Sequence, residues 1–314
     1  MALITAPRVE GSILVREGRK IGFAEFGSLH GRPFVWLHGT PGGRRQIPEA
    51  ARIAANELGI RIIGIDRPGV GLSTPHLYDS ILDFTLELEI VLDQLGIDQV
   101  AVIGLSGGGP YALAAGHAFP SRVRVVGVLG GVVPTRGADA VPGGLVGTLS
   151  PLAPILPPLR VPLGLSLSAL TRLLRPAGSQ LLDLYARFSP EGDRRLFARP
   201  EVKAMFLDDL IGGARRGLQA PVNDLILFLR PWGFYLRDIR VPVWWWHGDD
   251  DHIVPLAQAH QVVPRIPGAG LTTRPGESHL GGLDAATEVL AKLLELWSDG
   301  KGGGLRTLSV PTVN

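Results

Sequence analysis

Three features of the 314-residue chain predict an alpha/beta fold with a mostly parallel central sheet. Four short apolar runs, PFVWLHG, IRIIGID, VAVIGLS and VRVVGVLGG, lie between Pro33 and Gly131. Their apolarity is continuous rather than alternating, as expected of strands covered on both faces. Helical spacing fills a gap between two of them: Ile81, Phe84, Leu88, Val91, Leu92 and Leu95 recur at three- and four-residue steps and stop at Gly96. The third feature is the joint at Ser106, where an apolar run meets Gly107, Gly108 and Gly109 before a helical pattern resumes. Those glycines supply the backbone freedom of a tight strand-to-helix corner.

After Val133 the texture becomes dense in Pro, Leu and Gly, and helices are predicted near Ser179–Phe188, Glu201–Gly212 and Val222–Arg230. The uncharged stretch Ala140–Leu159 is long enough to span a bilayer, but Pro142, Pro151, Pro154, Pro157 and Pro158 would break a helix through it. It is expected to be a loop-rich apolar segment. Strand texture returns at VPVWWWHG and GLTTRP, and a last amphipathic helix carries Val289, Leu290, Leu293, Leu294 and Trp297 on one face. The middle segment therefore reads as an insertion. The glycine-rich terminus DGKGGGLRTLSVPTVN reads as a frayed tail.

Lys and Arg exceed Asp and Glu by only 31 to 29, and the arginine pairs are scattered, so no basic stripe suggests a nucleic-acid face. The absence of cysteine excludes disulfides, thiolate metal sites and thiol catalysis. The first twenty residues lack a basic region followed by an unbroken apolar core, and a cytoplasmic location is expected.

Gly104-Leu105-Ser106-Gly107-Gly108 fits G-x-S-x-G in its required setting, with a strand before it and a helix after it. A serine becomes a good nucleophile only when a base takes its proton, and the base needs an orienting acid. Downstream, the run WWWHGDDDHIVP ends in Asp249, Asp250 and Asp251, and RPGESHLGG places His279 in a Gly-flanked loop. Residues at the ends of parallel strands face the ligand crevice of an open sheet.

These motifs resemble the alpha/beta-hydrolase fold family, in its esterase and lipase-like branch, from about Gly11 to Trp297. HGTPGG is similar to the family's oxyanion loop, DRPGVGLS to its Asp-x-x-Gly-x-Gly-x-Ser turn, GLSGGG to its nucleophile corner and HGDDDHIVP to its acid loop. The resemblance implies Ser106 as nucleophile, His279 as base and, four residues before Pro255, Asp251 as acid. It implies backbone donors to an oxyanion at Thr40 and Gly107, and two such donors are worth roughly 3 kcal/mol each in acyl transfer. Relatives often have a bulkier residue after the serine, so Gly107 is expected to leave extra room there. The resemblance also implies a core of residues 1–133 and 241–300, a mainly helical cap over 134–240 and a tail over 301–314.

The reaction expected is cleavage of small to medium apolar carboxylic esters through an acyl-enzyme, with no cofactor. Apolar acyl preference is expected from Leu145, Leu149, Leu152, Ile155, Leu156 and Leu159, and an apolar cap would also allow membrane contact. Epoxide hydrolases and haloalkane dehalogenases of similar shape use aspartate where Ser106 stands. An aminopeptidase would need carboxylates to hold a substrate amine, for which Glu201, Asp208, Asp209 and Asp224 are available. Carbon-carbon bond hydrolases share the triad, and a non-enzymatic binding protein on this fold is a further alternative, although such proteins typically lose a triad residue. His247, Asp249, Asp251 and His252 have metal-ligand chemistry, yet a metal site would leave Ser106 and His279 without a role, and none is expected. His38 and His247 are expected to brace loops, Asp66–Ser73 to form a structural turn, and Trp244–Trp246 to pack in the core.

Overall fold

The computed structural model describes residues 4–213 and 219–299. Eight strands form one sheet in the order β1-β2-β4-β3-β5-β6-β7-β8. They are β1 (Val9–Leu14), β2 (Lys20–Gly27), β3 (Arg32–Leu37), β4 (Ile60–Ile65), β5 (Val100–Leu105), β6 (Val123–Leu129), β7 (Val243–Gly248) and β8 (Gly270–Arg274). Only β2 runs against its neighbours, β1 and β4, and the other pairings are parallel. Each of the four apolar runs is a strand, and so are VPVWWWHG and GLTTRP.

The continuous apolarity of these strands follows from two cores. Val35, Leu37, Val100 and Val102 point into one, and Phe34, Trp36, Ala101 and Ile103 into the other, because successive side chains leave opposite faces of a sheet. Helices α2 (Thr85–Gln94), α3 (Gly109–Ala118) and α10 (Leu256–Val262) cover the first face. Helices α1 (Glu49–Glu57), α11 (Gly281–Asp284) and α12 (Ala286–Asp299) cover the second. Val289, Leu290, Leu293 and Trp297 of α12 are all buried there, and Phe34 stacks on Trp297.

Between β6 and β7 lie α4 (Gly144–Thr148), α5 (Leu156–Leu174), α6 (Gly178–Phe188), α7 (Glu191–Phe197), α8 (Pro200–Gly213) and α9 (Gln219–Phe228). The three helices predicted in this insertion are α6, α8 and α9. The expectation of a loop-rich stretch over 140–159 is corrected by α4 and by α5, a 19-residue helix that begins inside it. Pro157 and Pro158 occupy the first turn of α5, where a backbone N–H has no helical partner to lose. Pro162 does lie within the helix, at the cost of one backbone hydrogen bond. The expected tail, 301–314, lies outside the described residues.

Candidate active site

The corner at Ser106 is held by close backbone packing. Ser106 has φ +49°, a left-handed conformation rare for a residue with a side chain, and such strain persists only where the surroundings over-determine it. Here they do: a Cβ on Gly104 would stand 2.4 Å from the carbonyl oxygen of Gly108, and one on Gly108 would stand 2.2 Å from that of Leu37. Both positions exclude any larger residue. The turn therefore lifts the Ser106 hydroxyl off the end of β5 toward the loops that follow β7 and β8.

Those loops bring His279 and Asp251 to it. Ser106 Oγ lies 2.8 Å from His279 Nε2, and His279 Nδ1 lies 2.8 Å from Asp251 Oδ2. The other oxygen, Asp251 Oδ1, accepts hydrogen bonds from the backbone N–H groups of Ile253 and Val254, both at 2.9 Å. Burial opposes the charge on Asp251, but hydrogen bonds from His247 and His279 outweigh it and hold the carboxyl well below its usual range. An ionised Asp251 only accepts, so in the neutral ring Nδ1 carries the proton and Nε2 is left to accept from the serine hydroxyl.

The neighbouring aspartates go elsewhere. Asp249 Oδ1 accepts from the N–H of Gly276 at 2.8 Å, and Asp250 pairs with the exposed His252 at 3.0 Å. Among the described residues no group of three His, Asp or Glu side chains is arranged to hold a metal ion. His247 sits behind Asp251, with Nε2 3.3 Å from Oδ2 and 2.7 Å from the Val254 carbonyl, while Nδ1 accepts from Trp245 Nε1 at 3.0 Å. This histidine braces the acid loop, and Trp245 and Trp246 are buried in the core.

The loop after β3 forms the opposite wall. His38 is buried, and burial with the Arg67 cation pushes its pKa well below the usual value. As a neutral ring, its Nδ1 donates to the Gly39 carbonyl at 2.7 Å and its Nε2 accepts from the Arg67 N–H at 3.1 Å. The turn Asp66–Ser73 is structural, as expected: Asp66 accepts from Arg44 and Leu72, and Ser73 Oγ donates to the Asp66 carbonyl.

Two residues have parts that the sequence reading did not assign them. Arg67, buried behind this loop, donates to the carbonyls of His38 and Gly39 and to Thr40 Oγ1. Its charge is met by Asp224 of α9 at 2.6 Å, and Asp224 also accepts from Thr40 Oγ1 and Tyr111 OH. The extra room expected at Gly107 is absent, since a Cβ there would lie 2.3 Å from Thr40 Oγ1 and 3.0 Å from Phe228. The Thr40 side chain fills that space.

A cavity of about 380 Å³ opens over Ser106 and His279 and is bounded on the other side by the insertion. Leu145, Leu182, Phe197, Phe206 and Tyr185 make its wall mostly apolar. Of the six residues expected to favour apolar acyl groups, only Leu145 is there; Leu152, Ile155 and Leu159 are exposed instead. One carboxylate, Asp209 of α8, also lines the cavity and accepts from the Gly43 N–H at 2.9 Å. Burial, reinforced by the charge of Asp66, pushes its pKa up to about 7.

Known proteins show the same architecture. A solved alpha/beta hydrolase fold protein from Nakamurella multipartita has a TM-score of 0.66 at 20% identity, over 92% of this chain and 99% of that one. A thermophilic esterase from Thermogutta terrifontis has a TM-score of 0.64 at 18% identity, over 92% and 99%. A proline iminopeptidase of Xanthomonas citri is 36% identical over 126 residues, which make up 37% of this chain and 40% of that protein. The chain therefore matches less than half the length of that curated relative. The model of the alpha/beta hydrolase family matches residues 34–293, from β3 to α12, a span that contains the Ser106 corner, the insertion and both downstream loops. The chain belongs to the alpha/beta hydrolase family.

Proposed function

We propose that this chain is a serine hydrolase that cleaves carboxylic esters of small to medium apolar acids. The observation that carries this reading is the unbroken path of two 2.8 Å contacts from Ser106 through His279 to Asp251. In the reaction, Ser106 Oγ attacks the ester carbonyl while His279 Nε2 takes its proton, and Asp251 holds the ring in the tautomer that can do so. The proton then passes from Nε2 to the leaving alcohol. Water repeats the sequence on the acyl-enzyme and releases the acid. The backbone N–H groups of Thr40 and Gly107 stabilise the negative charge on the carbonyl oxygen in both halves. The helical insertion acts as the cap, and its aromatic and aliphatic wall favours an apolar acyl chain.

An organophosphonate probe tests the mechanism. It is expected to label Ser106, and Ser106→Ala is expected to lose both labelling and several orders of magnitude in kcat. Full activity in Ser106→Ala overturns the reading.

A second reading, hydrolysis of acyl groups that bear an amine, is favoured by Asp209. A carboxylate facing a mostly apolar cavity is suited to hold an ammonium, and a curated relative is named a proline iminopeptidase. Comparing a butyryl aryl ester with an amino-acid arylamide decides between the two readings.

A further inference from the structure

Helix α5 is amphipathic the wrong way round for a helix that packs on its own protein. Its buried residues are Leu156, Gly164 and Ser168, and Gly164 lies so close to α9 that a Cβ there would stand 2.4 Å from Gln219 Cγ. Its leucines point outward: Leu165 is 61% exposed and Leu173 76%, with Leu163, Leu167 and Leu170 beside them. The neighbouring α6 adds Leu181, Leu184 and, at its end, Phe188, 81% exposed. An apolar face of this extent marks an interaction surface rather than scattered exposure.

The charges around it favour one occupant. Arg160, Arg172 and Arg187 are exposed on these two helices, and none makes an ion pair with a described residue. The acid among them, Asp183, is tied to Lys203. A second copy would bring like charges together, whereas anionic headgroups would complement them. Nor would the helix enter deeply, because no described helix is long and apolar enough to cross a membrane. Leucines on one side and arginines at the edge are the makings of a helix that lies in the interfacial plane.

We propose that the exposed face of α5 and α6 docks on an anionic lipid surface. The face reaches the cavity mouth through Tyr185, which follows Leu181 by four residues and precedes Phe188 by three on α6, is about half exposed and also lines the cavity. If the hydrolase reading holds, an apolar ester can therefore pass from lipid to Ser106 without crossing water.

Flotation of the full chain with vesicles tests the docking without any turnover. The chain is expected to float with phosphatidylcholine vesicles containing phosphatidylglycerol at low salt, about tenfold more than with phosphatidylcholine alone, and to be released by salt. The variant Leu165→Gln/Leu173→Gln/Phe188→Gln is expected to lose at least about tenfold of that binding while keeping its circular dichroism and its activity on a soluble ester. Arg160→Glu/Arg172→Glu should lose the preference for anionic vesicles. Absence of flotation, or flotation unchanged in the apolar variant, overturns the proposal. So does a dimer of the wild-type chain that the apolar variant dissociates, because a second copy then covers the face. A chain that floats but hydrolyses no ester leaves the docking intact and removes the enzymatic reading alone.

Discussion

Asp224 Oδ2 accepts a 2.6 Å hydrogen bond from Thr40 Oγ1 across 184 residues of sequence, joining the inserted α9 to the loop that faces Ser106. The same carboxylate neutralises Arg67, whose guanidinium holds the carbonyls of His38 and Gly39 from behind. The insertion thus ties down the Thr40 side chain and, through Arg67, the two carbonyls that precede it. Asp224→Asn keeps the shape but leaves Arg67 as an uncompensated buried charge, which costs about 3–5 kcal/mol in comparable sites. Thermal unfolding should show that loss. If the network also positions Thr40, kcat for a short ester falls by about ten- to a hundredfold with KM little changed. A fall in Tm with kcat intact would confine Asp224 to a structural role.

Gly107 gives a second test of the same wall. An alanine there places a methyl 2.3 Å from Thr40 Oγ1, so the threonine must move or the corner must open. On the proposed role of the Thr40 and Gly107 N–H groups, Gly107→Ala should lower kcat by about tenfold or more. Thr40→Ala removes the oxygen that the methyl meets. The double variant should therefore be more active than the product of the two single effects predicts. Additive losses would show that the two side chains do not share the space.

How far the site could be read from sequence depended on whether its parts lie near one another along the chain. Ser106, His279 and Asp251 each end a strand-and-turn unit with a local signature, and the two parallel cores explain why those strands appear as unbroken apolar runs. Strand β1 carries no such run because it is a largely exposed edge whose pattern is broken by Glu10, Gly11 and Ser12, and the buried β2 is interrupted by Glu25, which pairs with Arg8 and Arg61. Helix α5 was hidden by its prolines, which only a first-turn placement makes harmless. The Arg67–Asp224 pair was invisible for a different reason. Its partners are 157 residues apart, and neither has a local pattern that specifies the other.

The three consecutive aspartates separate cleanly by their partners. Asp251 alone reaches His279, Asp249 caps the turn at Gly276, and Asp250 stands in solvent beside His252. Asp251→Asn retains the size of the side chain but can donate to Nδ1, which favours the wrong tautomer. An equivalent change in another serine hydrolase lowered kcat by about ten-thousandfold. A comparable loss is expected here, with the fold intact by circular dichroism. Asp250→Asn should be nearly silent, and Asp249→Asn should cost stability more than turnover. A dead Asp249→Asn or Asp250→Asn beside an active Asp251→Asn would refute this assignment.

Asp209 links stability to pH with a definite sign. Its pKa is pushed up to about 7 in the folded chain, first by burial and then by Asp66, against about 3.9 for an unfolded aspartate. Between those values the folded state holds a proton that the unfolded state has released. Stability from this group is therefore greatest below about pH 4, declines as pH rises and is gone above about pH 7. Asp209→Asn abolishes the titration while its amide oxygen can still accept from the Gly43 N–H. The variant's Tm should thus rise relative to wild type as pH increases from 5 to 8, by an amount equivalent to about 3 kcal/mol at most. A constant difference across that range would mean that Asp209 ionises normally. The same variant bears on substrate class, because an ammonium held in the cavity would need the charged carboxylate. If amine-bearing acyl groups are substrates, the ratio of arylamide to butyryl ester hydrolysis falls by about tenfold or more in Asp209→Asn. An unchanged ratio removes the support that Asp209 lends to the second reading and leaves apolar esters as the substrate class.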